Sequence, residues 1–309
     1  MNGVLIIDKP PGLTSHDVVN RVRRILGERS VGHLGTLDPS ATGVLPLVIG
    51  SFTRLAQFYT HSEKTYEGVI LFGFATDTYD ADGEPISTPQ NVSLSREAAE
   101  TLASAFKGTL EQMPPPFSAK KIGGIAAYKL ARKQREVPLK PVRVEVKEFA
   151  ILDVAGDRVT FRANVGSGTY LRSIAHDMGQ KLGCGAHLAA LHRTAVAEFS
   201  IADARRLEDL ESAVRQGAAD ELFVHPRKLV PGLPSVTATE ENVSLIRTGR
   251  AVNLPEMSRA PLVKVFYGQR ELVAIASRVA GTLFHAGIVL TCAQAKPAPP
   301  LPVSSRQDP

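Results

Sequence analysis

One carboxylate, Asp38, lies in a stretch of chain whose composition displays a side chain rather than burying it. Residues 32–47 include three glycines and two prolines, which interrupt both helix and regular strand. Pro39 moves Asp38 out of the helical region, while Gly35 and Gly43 permit a positive φ or a close backbone approach. We therefore predict a shaped loop that presents the Asp38 carboxylate instead of burying it in a regular element. The alternative is a turn in which the Asp38 side chain bonds its own backbone.

Four further side chains could support chemistry, and each also has an ordinary structural interpretation. Lys9 ends a predicted strand, where a lysine is common. Tyr66 lies in a β-branched and aromatic segment, where a core or cross-strand aromatic residue is typical. Arg172 stands early in a predicted helix and could form a half-buried structural ion pair, and Leu191 could be a core residue. The residue types alone leave both interpretations open.

The sequence gives little support to a metal or cofactor site. Eleven and five residues separate His176, His187 and His192, which fits no compact ligand pattern. The two cysteines are far apart, so neither a zinc site nor a disulfide framework is indicated. The acidic turn at 74–83 has threonine and proline where a calcium loop needs carboxylates. The glycines just before residue 171 match no phosphate-binding or dinucleotide-binding motif. We predict no cofactor and no metal.

The hydrophobic pattern predicts the elements that must position these side chains. A strand over residues 3–9 precedes a helix that Ser15 caps and Gly27 ends, and a second strand covers residues 64–73. The remaining predictions are a helix capped by Ser95 and carrying Ala98, Leu102 and Phe106, strands over 142–154 and 158–165, a helix near 203–217, and short strands over 261–265 and 271–277. Helices and strands are therefore both expected along the chain.

Four signatures, in chain order, resemble one known family. They are K-P-x-G-x-T-S from Lys9, G-H-x-G-T-L-D-P-x-A-T-G-x-L from Gly32, K-x-Y-x-G from Lys64 and G-x-G-T-Y-x-R-S-x-A-x-D from Gly166. They resemble the TruB family of pseudouridine synthases, which convert one uridine of tRNA to pseudouridine, and the resemblance spans roughly residues 3–200. No catalytic position departs from the family pattern.

The resemblance implies an α+β fold with a mixed, mainly antiparallel sheet and flanking helices. It also implies the isomerisation of the T-arm uridine at tRNA position 55, without a cofactor. It implies Asp38 as the catalytic carboxylate, Tyr66 as the residue that stacks on the base and a candidate base, and Arg172 as the partner of Asp38. The implied substrate-binding residues in and around the site are Lys9, His33, Tyr170 and Leu191. Of these, His33 is implied to enter the space that the flipped base leaves; a role as a loop hydrogen-bond donor is its alternative.

Basic side chains are concentrated in one segment. The chain carries a formal net charge of +5, whereas residues 118–147 hold nine basic and two acidic residues, a local +7, which leaves −2 for the remainder. Most of these basic residues lie within about 112–141, which resembles the RNA-binding insertion of the family and is expected to be a loop carrying a short helix. The alternative is a lysine-rich surface that contacts only solvent. The implied RNA contacts are Lys120, Lys121, Lys129 and Arg132.

A length of 309 residues favours one large and one small domain. We expect a catalytic domain over 1–230, a small β-rich domain over 231–294 similar to the PUA-like RNA-binding domain of many family members, and a disordered tail over 295–309. No run reaches the ~20 apolar residues of a membrane span, and no cleavable leader is recognised. We expect a cytoplasmic monomer that binds tRNA and needs neither a membrane nor an obligatory protein partner.

Two other functions remain open. A guide-RNA-dependent relative, the catalytic subunit of the H/ACA particles, shares the G-T-L-D-P loop, although the bacterial-type insertion and the lack of long basic tails favour a stand-alone tRNA enzyme. The second is a catalytically silent RNA-binding or RNA-folding protein, against which Asp38, Tyr66 and Arg172 together argue. The choice between attack by Asp38 and an elimination route is open as well.

Overall fold

The computed structural model describes residues 1–117, 121–122, 125–126 and 139–290. These residues form two compact units, one over Gly3–Pro231 and a second that runs from Gly232 onward and includes Met1 and Asn2. The predicted tail and most of the predicted insertion lie outside the described residues. In the described ranges, no helix is long and apolar enough to cross a membrane.

The first unit is built on a nine-stranded sheet. Its strands in chain order are β1 (Gly3–Lys9), β2 (Val31–His33), β3 (Thr42–Ile49), β4 (Lys64–Phe72), β5 (Gly108–Gln112), β8 (Val142–Ala155), β9 (Arg158–Val165), β10 (Ala186–Val196) and β11 (Phe199–Ser200). A separate two-stranded sheet is formed by β6 (Lys121–Ile122) and β7 (Ile125–Ala126). The main order is β1-β3-β10-β4-β9-β8-β5, with β2 beside β3 and β11 beside β10. The mixed, mainly antiparallel sheet that the resemblance implied is confirmed.

In the described part of this sheet, strands β3 and β10 pair in parallel, and this pairing positions the Asp38 segment. The two strands pair only where Thr42 faces His192 and Gly43 faces Arg193. Because parallel strands keep the same direction, the residues just before Thr42 leave the sheet beside the part of β10 that carries Leu191. The irregular segment that contains Asp38 therefore lies where the two strands separate.

Helices cover the sheet through two apolar clusters. The α-helices of this unit are α1 (Ser15–Leu26), α2 (Arg96–Ser104), α3 (Leu171–Leu182) and α4 (Leu207–Arg215), and a 3-10 helix spans Gly50–Tyr59. Apolar residues of α1 and α4 pack with β1 and β3, whereas those of α2 and α3 pack with β4, β8 and β9. In α1 the buried Val18, Val19 and Val22 follow the helical period, which is the pattern that predicted the helix.

The structure corrects two details of the predicted helices. The N-cap of α1 is Thr14, not Ser15: the Thr14 hydroxyl accepts a hydrogen bond from the Asp17 N–H, and the Asp17 carboxylate accepts one from the Thr14 N–H. This reciprocal pair needs an acidic residue three positions after the cap, which Asp17 provides only for Thr14. Ser95 caps α2 as predicted, but Ala98 is exposed and the buried face begins at Ala99.

The irregular segment is also shorter than the predicted loop over 32–47. Strand β2 ends at His33 and β3 begins at Thr42, so regular pairing is absent only over residues 34–41. Pro46 lies within β3, where its carbonyl accepts a hydrogen bond from the Leu34 N–H at 2.9 Å. Proline and glycine therefore did not break the strand, because the pairing of β3 with β1 and β2 outweighs their local preferences.

The second unit contains a five-stranded sheet in the order β12-β14-β15-β16-β13. Its elements are β12 (Ser235–Thr237), α5 (Glu240–Arg247), β13 (Val252–Asn253), β14 (Leu262–Tyr267), β15 (Glu271–Ala280) and β16 (Leu283–Val289). The two predicted strands correspond to β14 and β15, and both continue beyond the predicted ends. Buried residues such as Val263, Ala274 and Phe284 give this unit an apolar core of its own.

Candidate active site

Ser15 holds the loop over residues 34–41 at its centre. Its Oγ accepts a hydrogen bond from the Leu37 N–H at 2.8 Å and lies 3.1 Å from the Leu37 carbonyl, to which it donates. Ser15 occupies the first turn of α1 and is buried. The residue that sequence patterns assigned to helix capping thus fixes the backbone next to Asp38.

Lys9 supports the same loop from below. Its Nζ donates to the carbonyls of Pro39 at 2.9 Å and Ala41 at 2.7 Å, and also to Pro10 at 3.0 Å. The residue has no exposed surface, and burial lowers the pKa of the ammonium to about 8. Lys9 lies close to Asp38, and two of its three hydrogen bonds hold the loop while the third holds the Pro10 carbonyl. A direct contact of Lys9 with the substrate stays a prediction.

Arg193, which sequence reasoning missed, joins the start of the loop to strand β3. The side chain is fully buried and donates to the carbonyls of Gly35, Thr36 and Val44 at 3.0, 3.2 and 2.8 Å. Its own backbone passes so close to Gly43 that a Cβ on Gly43 would lie 2.3 Å from the Arg193 carbonyl oxygen. Gly43 has a φ of +99°, so glycine is required there both for conformation and for space.

The Asp38 carboxylate forms a bidentate ion pair with Arg172. The distances are 2.9 Å from Nε to Oδ2 and 3.2 Å from Nη2 to Oδ1. The Arg172 side chain is 6% exposed, whereas that of Asp38 is 39% exposed, so the carboxylate remains open to a ligand. Surrounding protein atoms raise the pKa of Asp38, and the Arg172 guanidinium opposes that rise.

Arg172 has three further acceptors. Nη1 lies 3.2 Å from the Asp80 carboxylate and 3.0 Å from the Thr78 carbonyl, and Nη2 lies 2.9 Å from the Phe117 carbonyl. The guanidinium therefore lies within 3.2 Å of five oxygen atoms. It donates hydrogen bonds to three of them, whereas Nε contacts Asp38 as an ion pair without hydrogen-bond alignment. Asp80 was not predicted to belong to the site; its place in the acidic turn at 74–83 was the available signal. Its negative charge raises the pKa of Asp38 further.

A pocket of about 460 Å³ opens over this ion pair. Among the residues that line it are Asp38, Arg172, Tyr66, Tyr170 and Leu191. Tyr66 is 7% exposed and belongs to β4, while Leu191 belongs to β10 and is half-buried. The aromatic and apolar walls with a carboxylate beneath them suit a flat heterocycle whose attached sugar reaches the carboxylate.

His33 and Lys64 stand at the same pocket. The His33 Nδ1 accepts a hydrogen bond from the Gly35 N–H at 3.3 Å, and burial lowers the pKa of the imidazole. Burial likewise lowers the pKa of Lys64, whose Nζ donates to the Ser62 carbonyl at 2.7 Å. His33 thus accepts a hydrogen bond within the loop through Nδ1, which leaves Nε2 as the nitrogen that can donate.

Tyr170 is placed by a contact that the sequence did not reveal. The buried Gln112 side chain donates to the Tyr170 carbonyl at 3.0 Å and accepts from the Tyr170 N–H at 2.8 Å. Because Gln112 ends β5 and Tyr170 precedes α3, this amide fixes the start of the helix that carries Arg172. A second pocket of about 360 Å³ shares Asp38, Arg172 and Leu191 with the first.

The structure brings most of the predicted site together. Asp38, Tyr66, Arg172, His33, Tyr170 and Leu191 line one pocket, and Lys9 lies beneath it. Lys121 lies in β6, while the other predicted RNA contacts, Lys120, Lys129 and Arg132, fall outside the described residues. In the part of the chain that the structure describes, no group of three or more histidine, cysteine or acidic side chains could hold a metal ion.

Comparisons with known proteins agree with this geometry. Residues 23–171 match the model of the TruB family pseudouridylate synthase N-terminal domain, and residues 172–230 match that of the tRNA pseudouridylate synthase B C-terminal domain. The chain is 49% identical to tRNA pseudouridine synthase B of Solibacter usitatus, over 94% of this chain and all of that protein. It is 38% identical to tRNA pseudouridine synthase B of Bacillus cereus, over 89% and 92% of the two chains.

Solved structures extend the likeness to the fold. A chain in the crystal structure of a Cbf5–Nop10–Gar1 complex superposes with a TM-score of 0.67 at 27% identity, over 93% of this chain and 84% of that one. A chain of an H/ACA RNP bound to a substrate RNA superposes with a TM-score of 0.69 at 24% identity, over 94% and 86%, which shows the fold alone. The family match over most of the chain, together with the close relatives, establishes that the chain belongs to the TruB family of pseudouridylate synthases.

Proposed function

We propose that this enzyme isomerises the uridine at position 55, in the T-arm of tRNA, with Asp38 as the catalytic carboxylate. The observation that carries the proposal is the ion pair of Asp38 with Arg172 at the base of a pocket walled by Tyr66 and Leu191. The relatives that are named tRNA pseudouridine synthase B support tRNA as the substrate. The T-arm position comes from the resemblance to the family.

The reaction sets the requirements on the site. The bond between ribose C1′ and base N1 breaks, a bond between C1′ and base C5 forms, the C5 proton leaves, and N1 ends protonated. Substrate and product have the same atoms, so the net reaction consumes no redox equivalent. The site must expose C1′, supply a carboxylate to the sugar and move one proton.

Asp38 must be ionised to act on the sugar as a nucleophile or as a base. Burial and the Asp80 charge raise its pKa, while the bidentate contact with Arg172 lowers it. The ionised carboxylate either attacks C1′ or takes a proton from the sugar in an elimination route. Both routes need the carboxylate in one orientation, which the two Arg172 contacts define.

The pocket walls hold the base during the exchange of bonds. We assign Tyr66 to stacking on the uracil ring and make it the candidate base for proton removal, with Leu191 and Tyr170 as further walls. A detached uracil must turn so that C5 replaces N1 opposite C1′. Apolar and aromatic walls permit that rotation because they hold the ring without fixing its edge.

The uridine must leave its stacked position to reach Asp38. We propose that the base flips into the pocket and that the neutral His33 ring, at the edge of this pocket, occupies the space it leaves. The basic segment over 112–141, with Lys120, Lys121, Lys129 and Arg132, is proposed to bind the RNA backbone. The five-stranded second unit is proposed as a PUA-like RNA-binding domain.

Release of tritium from an unmodified tRNA transcript carrying [5-³H]uridine tests this proposal, because the C5 proton is lost only when the glycosidic bond is remade at C5. We expect release by the purified enzyme alone, with one modified residue that maps to position 55. A transcript with cytidine at that position should release none above background. Release that maps elsewhere would refute the T-arm assignment, and release that requires an added guide RNA would favour the guide-dependent alternative.

A further inference from the structure

The turn at 76–83 presents two oxygen atoms to Arg172 from neighbouring residues. The Thr78 carbonyl and the Asp80 carboxylate both meet Nη1, at 3.0 and 3.2 Å. Between them, Tyr79 adopts a left-handed conformation with a φ of +66°. The left-handed Tyr79 thus turns the backbone between the two groups that contact Nη1, and a tyrosine adopts this conformation at a cost in strain.

The Tyr79 side chain connects this strained turn to helix α3. Its ring stacks on the His176 imidazole with a centroid distance of 3.8 Å and an interplanar angle of 14°. His176 lies four residues after Arg172, so both side chains project from the same face of α3. The stack and the guanidinium therefore join the same turn to the same helix at two neighbouring points.

His176 makes no polar use of its buried ring nitrogen. In the described part of the chain its Nδ1 is buried without a hydrogen-bond partner, and burial lowers the pKa of the imidazole. A second attachment holds the turn to β10, where the Leu188 N–H donates to the Tyr79 carbonyl at 3.0 Å. His176 therefore contacts the turn through the flat face of its imidazole and not through Nδ1.

Neither ring lines either pocket that reaches Asp38. We propose that the Tyr79–His176 stack is a positioning device that holds the 76–83 turn in its strained form, so that Arg172 stays aligned with Asp38 while the substrate is bound. The inference rests on the proposed catalytic role of Asp38. Loss of the stack frees the turn, weakens the two contacts at Nη1 and lets the guanidinium rotate away from the bidentate geometry.

Four variants distinguish the effect of the stacked rings on the rate from the effect of the backbone conformation at residue 79. Tyr79→Phe and His176→Phe keep two stacked rings, and His176→Phe also removes the orphaned nitrogen. His176→Ala removes one ring, while Tyr79→Gly removes the other and relieves the left-handed strain. Each is assayed for single-turnover rate, tRNA dissociation constant and thermal midpoint, beside wild type and Asp38→Asn.

We expect the ring-deleting variants to lose roughly tenfold in single-turnover rate, the scale of a small misplacement of reacting groups, with the tRNA dissociation constant within twofold of wild type. The phenylalanine variants should stay within twofold in both. The double variant Tyr79→Gly/His176→Ala should be no slower than the worse single variant, because both changes remove one interaction.

Folded ring-deleting variants with wild-type rates, or a His176→Phe enzyme as slow as His176→Ala, would overturn the positioning role. So would equal losses in rate and tRNA affinity. If wild type and Asp38→Asn release tritium at the same rate, the proposed function fails instead, and that outcome is distinct from failure of the stack. Where one ring-deleting variant does not fold, the other still decides the test, because His176→Ala and Tyr79→Gly each remove the same stack.

Discussion

Replacement of Arg172 by lysine keeps a positive charge but removes the planar fork that fits a carboxylate. The buried guanidinium makes two contacts with Asp38, at 2.9 and 3.2 Å. A lysine ammonium offers at most one of them in a less fixed geometry. We therefore expect Arg172→Lys to fold and bind tRNA, but to orient Asp38 poorly in the transition state.

The size of the loss follows from these contacts. A hydrogen bond to a charged group contributes about 1.5–3 kcal/mol, and water can replace part of it because the Asp38 side chain is 39% exposed. A net loss of about 2–3 kcal/mol of transition-state stabilisation corresponds to a rate lower by roughly 30- to 150-fold. Arg172→Met should also move the acid limb of the pH–rate profile to higher pH, because Arg172 lowers the pKa of Asp38.

Single-turnover tritium release with saturating enzyme, measured from pH 4.5 to 8.5, gives both quantities. The matched control is Arg215→Lys, an exposed arginine at the end of α4. A rate for Arg172→Lys within threefold of wild type would refute the orientation argument. An unmoved acid limb in Arg172→Met would show that Arg172 does not hold the Asp38 carboxylate in its ionised form.

Three further predictions concern the support of the site. Asp80→Asn should slow single-turnover tritium release by roughly tenfold and move its acid limb to lower pH, because the Asp80 charge raises the pKa of Asp38; an acid limb at higher pH contradicts this. The Lys9 pKa of about 8 lies below the unfolded value, so the unfolded state binds more protons above pH 8. In urea unfolding, the free energy of unfolding of wild type minus that of Lys9→Met should therefore rise by about 2–3 kcal/mol from pH 7 to 10. A difference that does not change with pH would be contrary evidence. Gly43→Ala should lower the free energy of unfolding by about 2–4 kcal/mol in the same assay, because its Cβ would meet the Arg193 carbonyl. The control Gly156→Ala, with a φ of +65° and open space, should lower it by about 1–2 kcal/mol. Equal losses would disprove the steric argument.

Residues with a strong local pattern were predictable from sequence. The apolar period of α1, the glycine that ends it and the strand around Tyr66 all specify their elements locally, and the structure contains them. The signature around Asp38 and that around Arg172 predicted two residues that lie 134 positions apart in the chain and meet in space. Local pattern and family signature therefore accounted for most of the pocket.

The residues that were missed act through long-range contacts with the backbone. Arg193 donates to carbonyls about 150 positions earlier, and Gln112 bonds the backbone of Tyr170. Backbone carbonyls are the same at every position, so no residue type marks such a partner in the sequence. Ser15 and Lys9 were noticed but given other roles, because capping and strand-end patterns are local, whereas their partners lie in the Asp38 loop.

The central claim is that the Asp38 carboxylate performs chemistry and does not serve mainly to bind RNA. The most direct measurement compares Asp38→Asn with wild type in tRNA binding and in single-turnover conversion, on the same unmodified transcript. The structure predicts a dissociation constant within about threefold of wild type, because asparagine keeps the shape of the side chain, together with loss of conversion. Equal losses of binding and conversion, or conversion at the wild-type rate, would contradict the claim.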